Sequence, residues 1–346
     1  MRFFIILIYI ISFHINAQNS EIISFNSANP FSLSDIIKDL ENQQQQEVFG
    51  KLTLPIDSLN SKKKFPLIMG VAGSLGWRSH HHEYMEMYQE NGFATFELNS
   101  FKSRDIKSTV GSQVEVTTAA IILDAYRAFE VLSNHPNIDK DKVSITGWSL
   151  GGAVALFSGW LPIKEAITSD LKFASHLAFY PPCFFDPENT DFTDSPIHIL
   201  IGELDNWVSS VACEDLVYKL NEEGVNINID VYEGSHHGFD REGPLYIEKN
   251  GYKTGECHFN MRSDGALLMN LFNIPMTTPL RQKVALAMCA KRGPTIGGNS
   301  KARENSFKFA KNFMKKHLII KCFEKYRCGP KIASPDAKKT INKKML

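Results

Sequence analysis

Short apolar runs alternate with segments of helical spacing along most of the chain. Residues 47–55 alternate as an edge strand would, while residues 67–71 are continuously apolar, which is typical of a strand covered on both faces. Residues 114–132 carry apolar side chains at helical spacing. Further strands are predicted at 93–98, from 143, and at 175–180, 197–201 and 228–232, with further helices from 153, at 211–221 and at 306–318. This alternation predicts an α/β fold, with a mostly parallel central sheet and helices on both faces.

The pattern changes near both ends of the chain and again after residue 240. Residues 18–45 are rich in Asn, Ser and Gln and predict a weakly structured lead-in with one short helix near 33–40. Residues 241–300 are loop-like, with many polar and glycine residues. The predicted segments are a signal peptide (1–17), the lead-in (18–45), one folded domain (46–320) with a loop-rich insertion or cap (241–300), and a basic C-terminal tail (321–346).

The first residues have the pattern of a secretory signal peptide. One positive charge at Arg2 precedes a short apolar core, and Ile15-Asn16-Ala17 suits cleavage after Ala17. The apolar run is about half of the ~20 residues that span a bilayer, which disfavours a membrane anchor. We therefore expect a secreted or periplasmic protein, without stable membrane insertion after the signal is removed.

Charge and cysteine content narrow the range of partners. Lysine plus arginine and aspartate plus glutamate both number 38, which argues against a nucleic acid or an anionic membrane as partner. An exported chain can form disulfides, and the spacing of its cysteines lacks the Cys-x-x-Cys pair of zinc sites. Sequence alone does not choose among the pairings of the six cysteines at 183, 213, 257, 289, 322 and 328.

A Gly-x-Ser-x-Gly motif provides the strongest chemical signal. The run Val143 to Thr146 predicts a strand that leads into Gly147-Trp148-Ser149-Leu150-Gly151, and an apolar helix is predicted directly afterwards. A strand, a sharp turn with the serine at its tip, and a helix form a nucleophile elbow. Glycines flank the serine because side chains at 147 and 151 would collide with the neighbouring strand and helix. Ser149 is therefore the predicted nucleophile.

A serine nucleophile needs a base and an acid that orients the base. In folds that contain a nucleophile elbow, the acid follows the serine in the chain and the histidine follows the acid. Asp205 follows the predicted strand 197–201 through a Gly-x-x-Asp turn and is the favoured acid. Glu203 is adjacent but is expected to point elsewhere. The competing acids, which follow the preceding strand in a polar loop, are Asp186, Asp191 and Asp194.

The base is expected directly after the last predicted strand, where two histidines are adjacent. His237 is favoured because Gly238 leaves the backbone free to turn the imidazole towards the serine. His236 remains the alternative. Two backbone N–H groups should stabilise the developing oxyanion. One is that of Leu150, at the start of a helix, and the other belongs to Gly73 or Ser74 in the loop after strand 67–71.

Three consecutive histidines, His80, His81 and His82, precede Glu83 and invite a metal interpretation. Successive residues on a helix face different directions, so the three cannot all bind one ion. We expect histidines at the mouth of a pocket or on the surface instead. No metal and no cofactor is predicted.

Several motifs together resemble the dienelactone hydrolase family of α/β hydrolases. The resemblance covers roughly residues 65–320 and implies the α/β-hydrolase fold, with Ser149, Asp205 and His237 as the catalytic triad. Relatives often carry Asp-Ser-Phe-x-x-Arg where this chain has Asn99 to Arg104. The other matching stretches are Gly147-Trp148-Ser149-Leu150-Gly151-Gly152, Gly202-Glu203-Leu204-Asp205, His237-Gly238-Phe239-Asp240 and Tyr180-Pro181-Pro182-Cys183.

Two positions depart from the family pattern. Founding members use a cysteine nucleophile where this chain has Ser149, and relatives often carry His-Gly at the loop where this chain has Ala72-Gly73. Some secreted-looking relatives also carry cysteines near 257 and 289, and the resemblance therefore implies a disulfide between Cys257 and Cys289.

The resemblance implies hydrolysis of a carboxylic ester through an acyl-enzyme. Together with the signal-peptide pattern, it leads us to expect a secreted serine esterase that acts on a small or medium ester. One alternative is a peptidase related to prolyl oligopeptidase, although such enzymes usually have a large N-terminal propeller. A second is a lipase, if residues 241–300 form an apolar lid with Leu267-Leu268-Met269 and Leu271-Phe272. The third is a catalytically inactive hydrolase fold that acts as an extracellular binding protein.

Overall fold

The fold is built on one large sheet. The structure, a computed structural model, describes residues 19–55, 63–270 and 272–319. The predicted signal peptide, the predicted basic tail, Cys322 and Cys328 lie outside these residues. The strands are β1 Asn19–Ala28, β2 Gln45–Leu54, β3 Phe65–Val71, β4 Ala94–Leu98, β5 Ile138–Trp148, β6 His176–Phe179, β7 Phe185–Pro187, β8 Ile197–Gly202, β9 Ile227–Tyr232, β10 Tyr246–Ile247, β11 Tyr252–Lys253, β12 Phe259–Met261, β13 Lys291–Arg292 and β14 Thr295–Ile296.

The large sheet has the strand order β1-β2-β4-β3-β5-β6-β8-β9. β1 and β2 pair with their neighbours in antiparallel fashion, and the strands from β4 to β9 in this order are parallel. Residues 143–148 of β5 are all buried, which means that both faces of the sheet are covered, since successive side chains point to opposite faces. The predicted mostly parallel sheet is confirmed.

Helices connect the parallel strands and cover the sheet. They are α1 Leu33–Asp39, α2 Ser79–Glu90, α3 Thr118–Ser133, α4 Leu150–Phe157, α5 Leu161–Ile167, α6 Ser210–Glu222, α7 Pro279–Cys289 and α8 Ser300–Leu318. α3 packs against α4, and α2 packs against α8. No helix in the described part of the chain is long and apolar enough to cross a membrane.

The expectation of a weakly structured lead-in is wrong for residues 19–28, which form β1, whereas the short helix predicted near 33–40 is present as α1. β1 forms the edge of the large sheet, and β2, which was predicted to be the edge strand, lies one place inside it. Phe25 and Ser27 of β1 are buried, while Ile22 and Ser24 face solvent. The strand alternates correctly, but polar residues occupy inward as well as outward positions, and this obscured the pattern.

A buried ion pair fixes β1 to the rest of the fold. The guanidinium of Arg104 donates to both carboxylate oxygens of Asp124 on α3, at 2.7 and 3.0 Å. The same carboxylate accepts a hydrogen bond from the Ser27 hydroxyl at 2.6 Å, and Arg104 also donates to the carbonyl of Ala28. Arg104 is the last residue of the motif that resembles Asp-Ser-Phe-x-x-Arg, and here its contacts join the N-terminal strand to the core.

Arg104→Met is expected to lower the free energy of unfolding by about 3–5 kcal/mol, because it leaves the fully buried carboxylate of Asp124 without its cation. Arg127→Met on α3 is the matched control, since Arg127 pairs with Glu130 near the surface and such pairs contribute about 0–1 kcal/mol. Urea unfolding of the two variants measures both values. Equal losses of unfolding free energy in the two variants would show that the buried ion pair does not stabilise the packing of β1.

His176 on β6 makes the fold sensitive to acid. Burial lowers the pKa of its imidazole to about 4, from an ordinary value of 6.5, and the hydrogen bond to the carbonyl of Ala155 opposes this shift only in part. The unfolded chain therefore takes up a proton near pH 6.5, whereas native His176 stays neutral until about pH 4. Stability is present above pH 6.5 and declines as the pH falls through this range.

From His176 alone, about 2 kcal/mol of stability should be lost between pH 7.5 and pH 5. Urea unfolding at both pH values, in the natural chain and in His176→Gln, measures this loss. The natural chain should lose about 2 kcal/mol more than the variant. If both chains lose the same amount, His176 does not carry the effect, and an imidazole chemical shift that titrates near pH 6.5 would lead to the same conclusion.

Residues 241–300, here called the cap segment, contribute several of the residues that line a cavity at Ser149. They contain α7 and two short pairs of strands, β10 with β14 and β11 with β13, while β12 pairs with β7. A disulfide joins Cys257 to Cys289, as the family resemblance implied, and a second joins Cys183 to Cys213. Leu267 lines a cavity and Met269 is buried, but Phe272 is exposed, and Leu271 lies outside the described residues.

Candidate active site

Ser149 lies at a sharp turn between β5 and α4, as the motif predicts. Its backbone has φ +55° and ψ −113°, a conformation that L-residues rarely adopt. A Cβ on Gly147 would lie 2.0 Å from the carbonyl oxygen of Gly151, and a Cβ on Gly151 would lie 2.1 Å from the carbonyl oxygen of Val71. The glycines at both positions are therefore required by close backbone packing, and the expected collisions are confirmed.

The structure brings Ser149, His237 and Asp205 together. His237 Nε2 lies 3.0 Å from Ser149 Oγ, and His237 Nδ1 lies 2.7 Å from Asp205 Oδ2. The other carboxylate oxygen, Oδ1, accepts hydrogen bonds from the backbone N–H groups of Trp207 and Val208 at 2.9 and 3.1 Å. The three residues follow β5, β8 and β9, whose carboxyl ends share one edge of the sheet.

Local backbone geometry aims the imidazole of His237. Gly238 has φ +67°, which allows the chain to turn directly after the histidine. The ring of Trp207 packs against the imidazole at 4.8 Å between centroids, and the ring of Tyr180 packs at 4.6 Å. The imidazole of His237 is thus held by the two aromatic rings and by the hydrogen bond between Nδ1 and Asp205.

The competing residues lie elsewhere. The carboxylate of Asp186 pairs with Lys219, and that of Asp194 pairs with Lys172. Asp191 is exposed. Glu203 accepts a hydrogen bond from the backbone N–H of Gly234, so it points away from the imidazole as expected. The ring nitrogens that reach Ser149 and Asp205 belong to His237 and not to the alternative base, His236.

The predicted oxyanion donors lie beside Ser149. Leu150 is the first residue of α4, where backbone N–H groups have no partner within the helix. A Cβ on Gly73 would lie 3.4 Å from Ser149 Cβ, so the loop after β3 approaches Ser149 closely. Ser74 lines both cavities that reach Ser149. The backbone N–H of Ser149 itself is already used, because it donates to the carbonyl of Phe179.

The three consecutive histidines point in different directions, and His80 and His81 line a cavity beside Ser149, which is one of the two positions expected for them. His80 and His81 are buried, because the first approaches Asp240 and the second stacks on Trp148. Burial lowers the pKa of both imidazoles. His82 bonds to Glu97, which raises its pKa. Within the described ranges, no group of three or more His, Cys, Asp or Glu side chains is arranged to hold a metal ion.

A buried carboxylate behind the triad was given no role in the sequence-based prediction. Asp240 accepts hydrogen bonds from Trp148 Nε1 at 3.1 Å and from the Tyr180 hydroxyl at 2.8 Å. It thereby links the residue before the nucleophile to the aromatic ring that packs on His237. The sequence signal was present, since Trp148, Tyr180 and Asp240 all fall in the stretches that resemble the family.

Two cavities meet at Ser149. The larger, of about 140 Å³, lies between the sheet edge, the cap segment and the N-terminal residues Phe31 to Leu33. The smaller, of about 40 Å³, includes Gly73, His237 and Arg241. Ser149 therefore has free space on two sides.

A mostly parallel sheet with a serine elbow after its central strand, and an acid and a histidine at the ends of later strands, defines the class of α/β hydrolases. The family model of the dienelactone hydrolases matches residues 80–257, just over half of the chain. The chain belongs to the dienelactone hydrolase family. A search of curated proteins by sequence found no match.

Solved structures share the fold at low sequence identity. A dienelactone hydrolase-like promiscuous phosphotriesterase from metagenomic libraries is 14% identical, with a TM-score of 0.51 over 86% of this chain and 99% of that one. A protein described as m3DLH is 12% identical, with a TM-score of 0.53 and the same coverage. A dienelactone hydrolase from Klebsiella pneumoniae, described in its source as an unproven assignment, is 16% identical over 64% of this chain and 89% of that one, with a TM-score of 0.46. The likeness to the first two structures, with TM-scores above 0.5, concerns the fold alone.

Proposed function

We propose that this protein is a secreted serine hydrolase that cleaves a carboxylic ester through an acyl-enzyme. The observation that carries the proposal is the position of His237, whose two ring nitrogens lie 3.0 Å from Ser149 Oγ and 2.7 Å from Asp205 Oδ2. A nucleophile, a base and an orienting acid in mutual hydrogen-bond contact are what acyl transfer requires.

In the proposed reaction, Ser149 Oγ attacks the ester carbonyl while His237 Nε2 accepts the hydroxyl proton. His237 then donates that proton to the alcohol oxygen as the carbon–oxygen bond breaks, and the acyl group stays on Ser149. Water attacks the acyl-enzyme while His237 accepts a proton from it, and His237 then donates that proton to Ser149 Oγ as the acyl–oxygen bond breaks and the carboxylic acid leaves. Asp205 holds the tautomer in which Nδ1 carries the proton and Nε2 is free to accept one.

Backbone N–H groups are proposed to stabilise the negative oxygen of the tetrahedral intermediate. Leu150 supplies one from the first turn of α4, where the helix dipole also favours negative charge. Gly73 or Ser74 supplies the second from the loop after β3. Gly73 has no Cβ, and this allows the loop to lie close to Ser149.

Turnover of 4-nitrophenyl butyrate, compared with that of a peptide 4-nitroanilide, tests the reaction class. We expect turnover of the ester and none of the anilide. Cleavage of the anilide with an inert ester would favour the peptidase alternative. Preference for an emulsified triglyceride over the dissolved ester would favour the lipase. The inactive binding protein would turn over none of the three and would not react with a fluorophosphonate.

Secretion, and the division of the chain into segments, form part of the same proposal. The two disulfides support export, because such bonds persist in oxidising compartments. The signal is proposed to be residues 1–17, the cap residues 241–300 and the basic tail residues 321–346. N-terminal sequencing of the exported chain should begin at Gln18. A chain that keeps Met1 and stays in the cell would contradict the export proposal.

A further inference from the structure

The two cavities at Ser149 differ in their relation to the proposed base. His237 lines the smaller cavity, together with Gly73, Tyr180 and Arg241. The larger cavity is reached by Ser149 and Leu150, and His237 is not among the residues that line it. The proposed nucleophile is therefore shared by both cavities, whereas the proton donor faces only one of them.

This difference indicates which part of an ester binds in which cavity. His237 must give its proton to the alcohol oxygen when the ester bond breaks, so that oxygen has to lie within hydrogen-bond reach of Nε2. The alcohol part then occupies the smaller cavity, on the side of His237. The acyl part lies on the other side of the carbonyl carbon, in the larger cavity.

No charged side chain lines the larger cavity among the residues that the structure describes. None of its 24 lining residues is Asp, Glu, Lys, Arg or His. Much of the wall is aromatic or aliphatic, and it includes Phe157, Phe184, Phe185, Phe259, Leu267 and Leu286. A carboxylate placed there would lose its hydration without gaining a cation, which is costly in an apolar site. A neutral apolar chain would instead gain by leaving water.

We propose that the natural substrate is an ester whose acyl group is uncharged and apolar, longer than acetyl, and held in the larger cavity. This inference rests on the proposed function and goes beyond it, because it names the class of acyl group and the side on which it binds. The cap segment supplies Phe259, Leu267 and Leu286, so it forms part of the acyl site, and the disulfide Cys257–Cys289 holds two of its parts together.

The first arm of the test measures kcat/KM for 4-nitrophenyl acetate, butyrate and hexanoate. Burial of apolar surface should raise kcat/KM by about fourfold for each methylene until the cavity is filled. The second arm compares 4-nitrophenyl hexanoate with mono-4-nitrophenyl adipate, in which a carboxylate replaces the terminal methyl group. After subtraction of the enzyme-free rate, the adipate ester should be at least about a hundredfold slower.

A positive charge placed on the wall of the larger cavity should reduce the preference for the hexanoate ester over the adipate ester. Gln282 lines the cavity and is half-buried, which allows a longer polar side chain to reach solvent. Gln282→Arg is expected to raise kcat/KM for the adipate ester by about fivefold relative to that for the hexanoate ester. Gln282→Met, of similar length but neutral, should not raise it.

Equal rates for hexanoate and adipate esters, or no dependence on chain length, would overturn the inference while ester hydrolysis itself stands. A chain that hydrolyses no ester and takes up no fluorophosphonate would instead overturn the proposed function. The two failures are therefore distinguishable in the same set of assays.

Discussion

Ser149→Ala is expected to lower kcat for ester hydrolysis by about 10⁶-fold, which removes all detectable turnover of 4-nitrophenyl butyrate. The hydroxyl of Ser149 bonds to the imidazole of His237, and without it no group at the end of β5 can form the acyl-enzyme. The fold should survive, because the substitution removes one oxygen and the elbow depends on the backbone and on Gly147 and Gly151.

Ser158→Ala is the matched control for this substitution. Ser158 follows α4, at whose other end Ser149 lies, and its hydroxyl bonds to the carbonyl of Ala155, away from both cavities. Turnover should be unchanged in the control, and circular dichroism should show the natural helix content in both variants. Turnover by a folded Ser149→Ala at more than about a hundredth of the natural rate would exclude Ser149 as the nucleophile.

Asp205→Asn is expected to lower kcat by about 10⁴-fold, with little change in the fold. Oδ1 accepts two backbone N–H bonds, so the oxygen of an asparagine would keep that place and its amide nitrogen would face His237 Nδ1. An N–H donor there favours the tautomer in which Nδ1 is the acceptor and Nε2 carries the proton. Nε2 then cannot take the proton of Ser149.

Glu203→Gln is the matched control, because it changes a neighbouring carboxylate to its amide. Glu203 bonds to the backbone N–H of Gly234 and does not contact His237. The control should keep natural kcat and KM values for 4-nitrophenyl butyrate. A loss of less than tenfold in Asp205→Asn, or equal losses in the two variants, would show that Asp205 does not set the tautomer.

The elbow was predictable because its signals are local. An apolar strand, two glycines forced by backbone contacts, and an apolar helix adjoin one another in the sequence around Ser149. Asp205 and His237 lie far along the chain, but parallel connections bring the ends of β8 and β9 to the edge where β5 ends. Chain order and strand ends therefore identified residues that the structure brings into contact.

Other features depend on contacts that the sequence does not reveal. The inward-facing Ser27 of β1 looks like a loop residue until Asp124, 97 residues away, accepts its hydrogen bond. The burial of His80 and His81 depends on contacts with Asp240 and Trp148, which are distant in the sequence. The larger cavity combines side chains from the N-terminal region, the elbow and the cap segment, so its lack of charge was visible only after folding.

The covalent adduct formed with a fluorophosphonate tests the central claim most directly. Mass spectrometry of the digested protein should place the adduct on Ser149 alone. Labelling should be abolished in His237→Gln and kept in His236→Gln, because His237 is the histidine in contact with Ser149 Oγ. An adduct on another residue, no adduct at all, or labelling that depends on His236 would contradict the assignment of Ser149 and His237 as nucleophile and base.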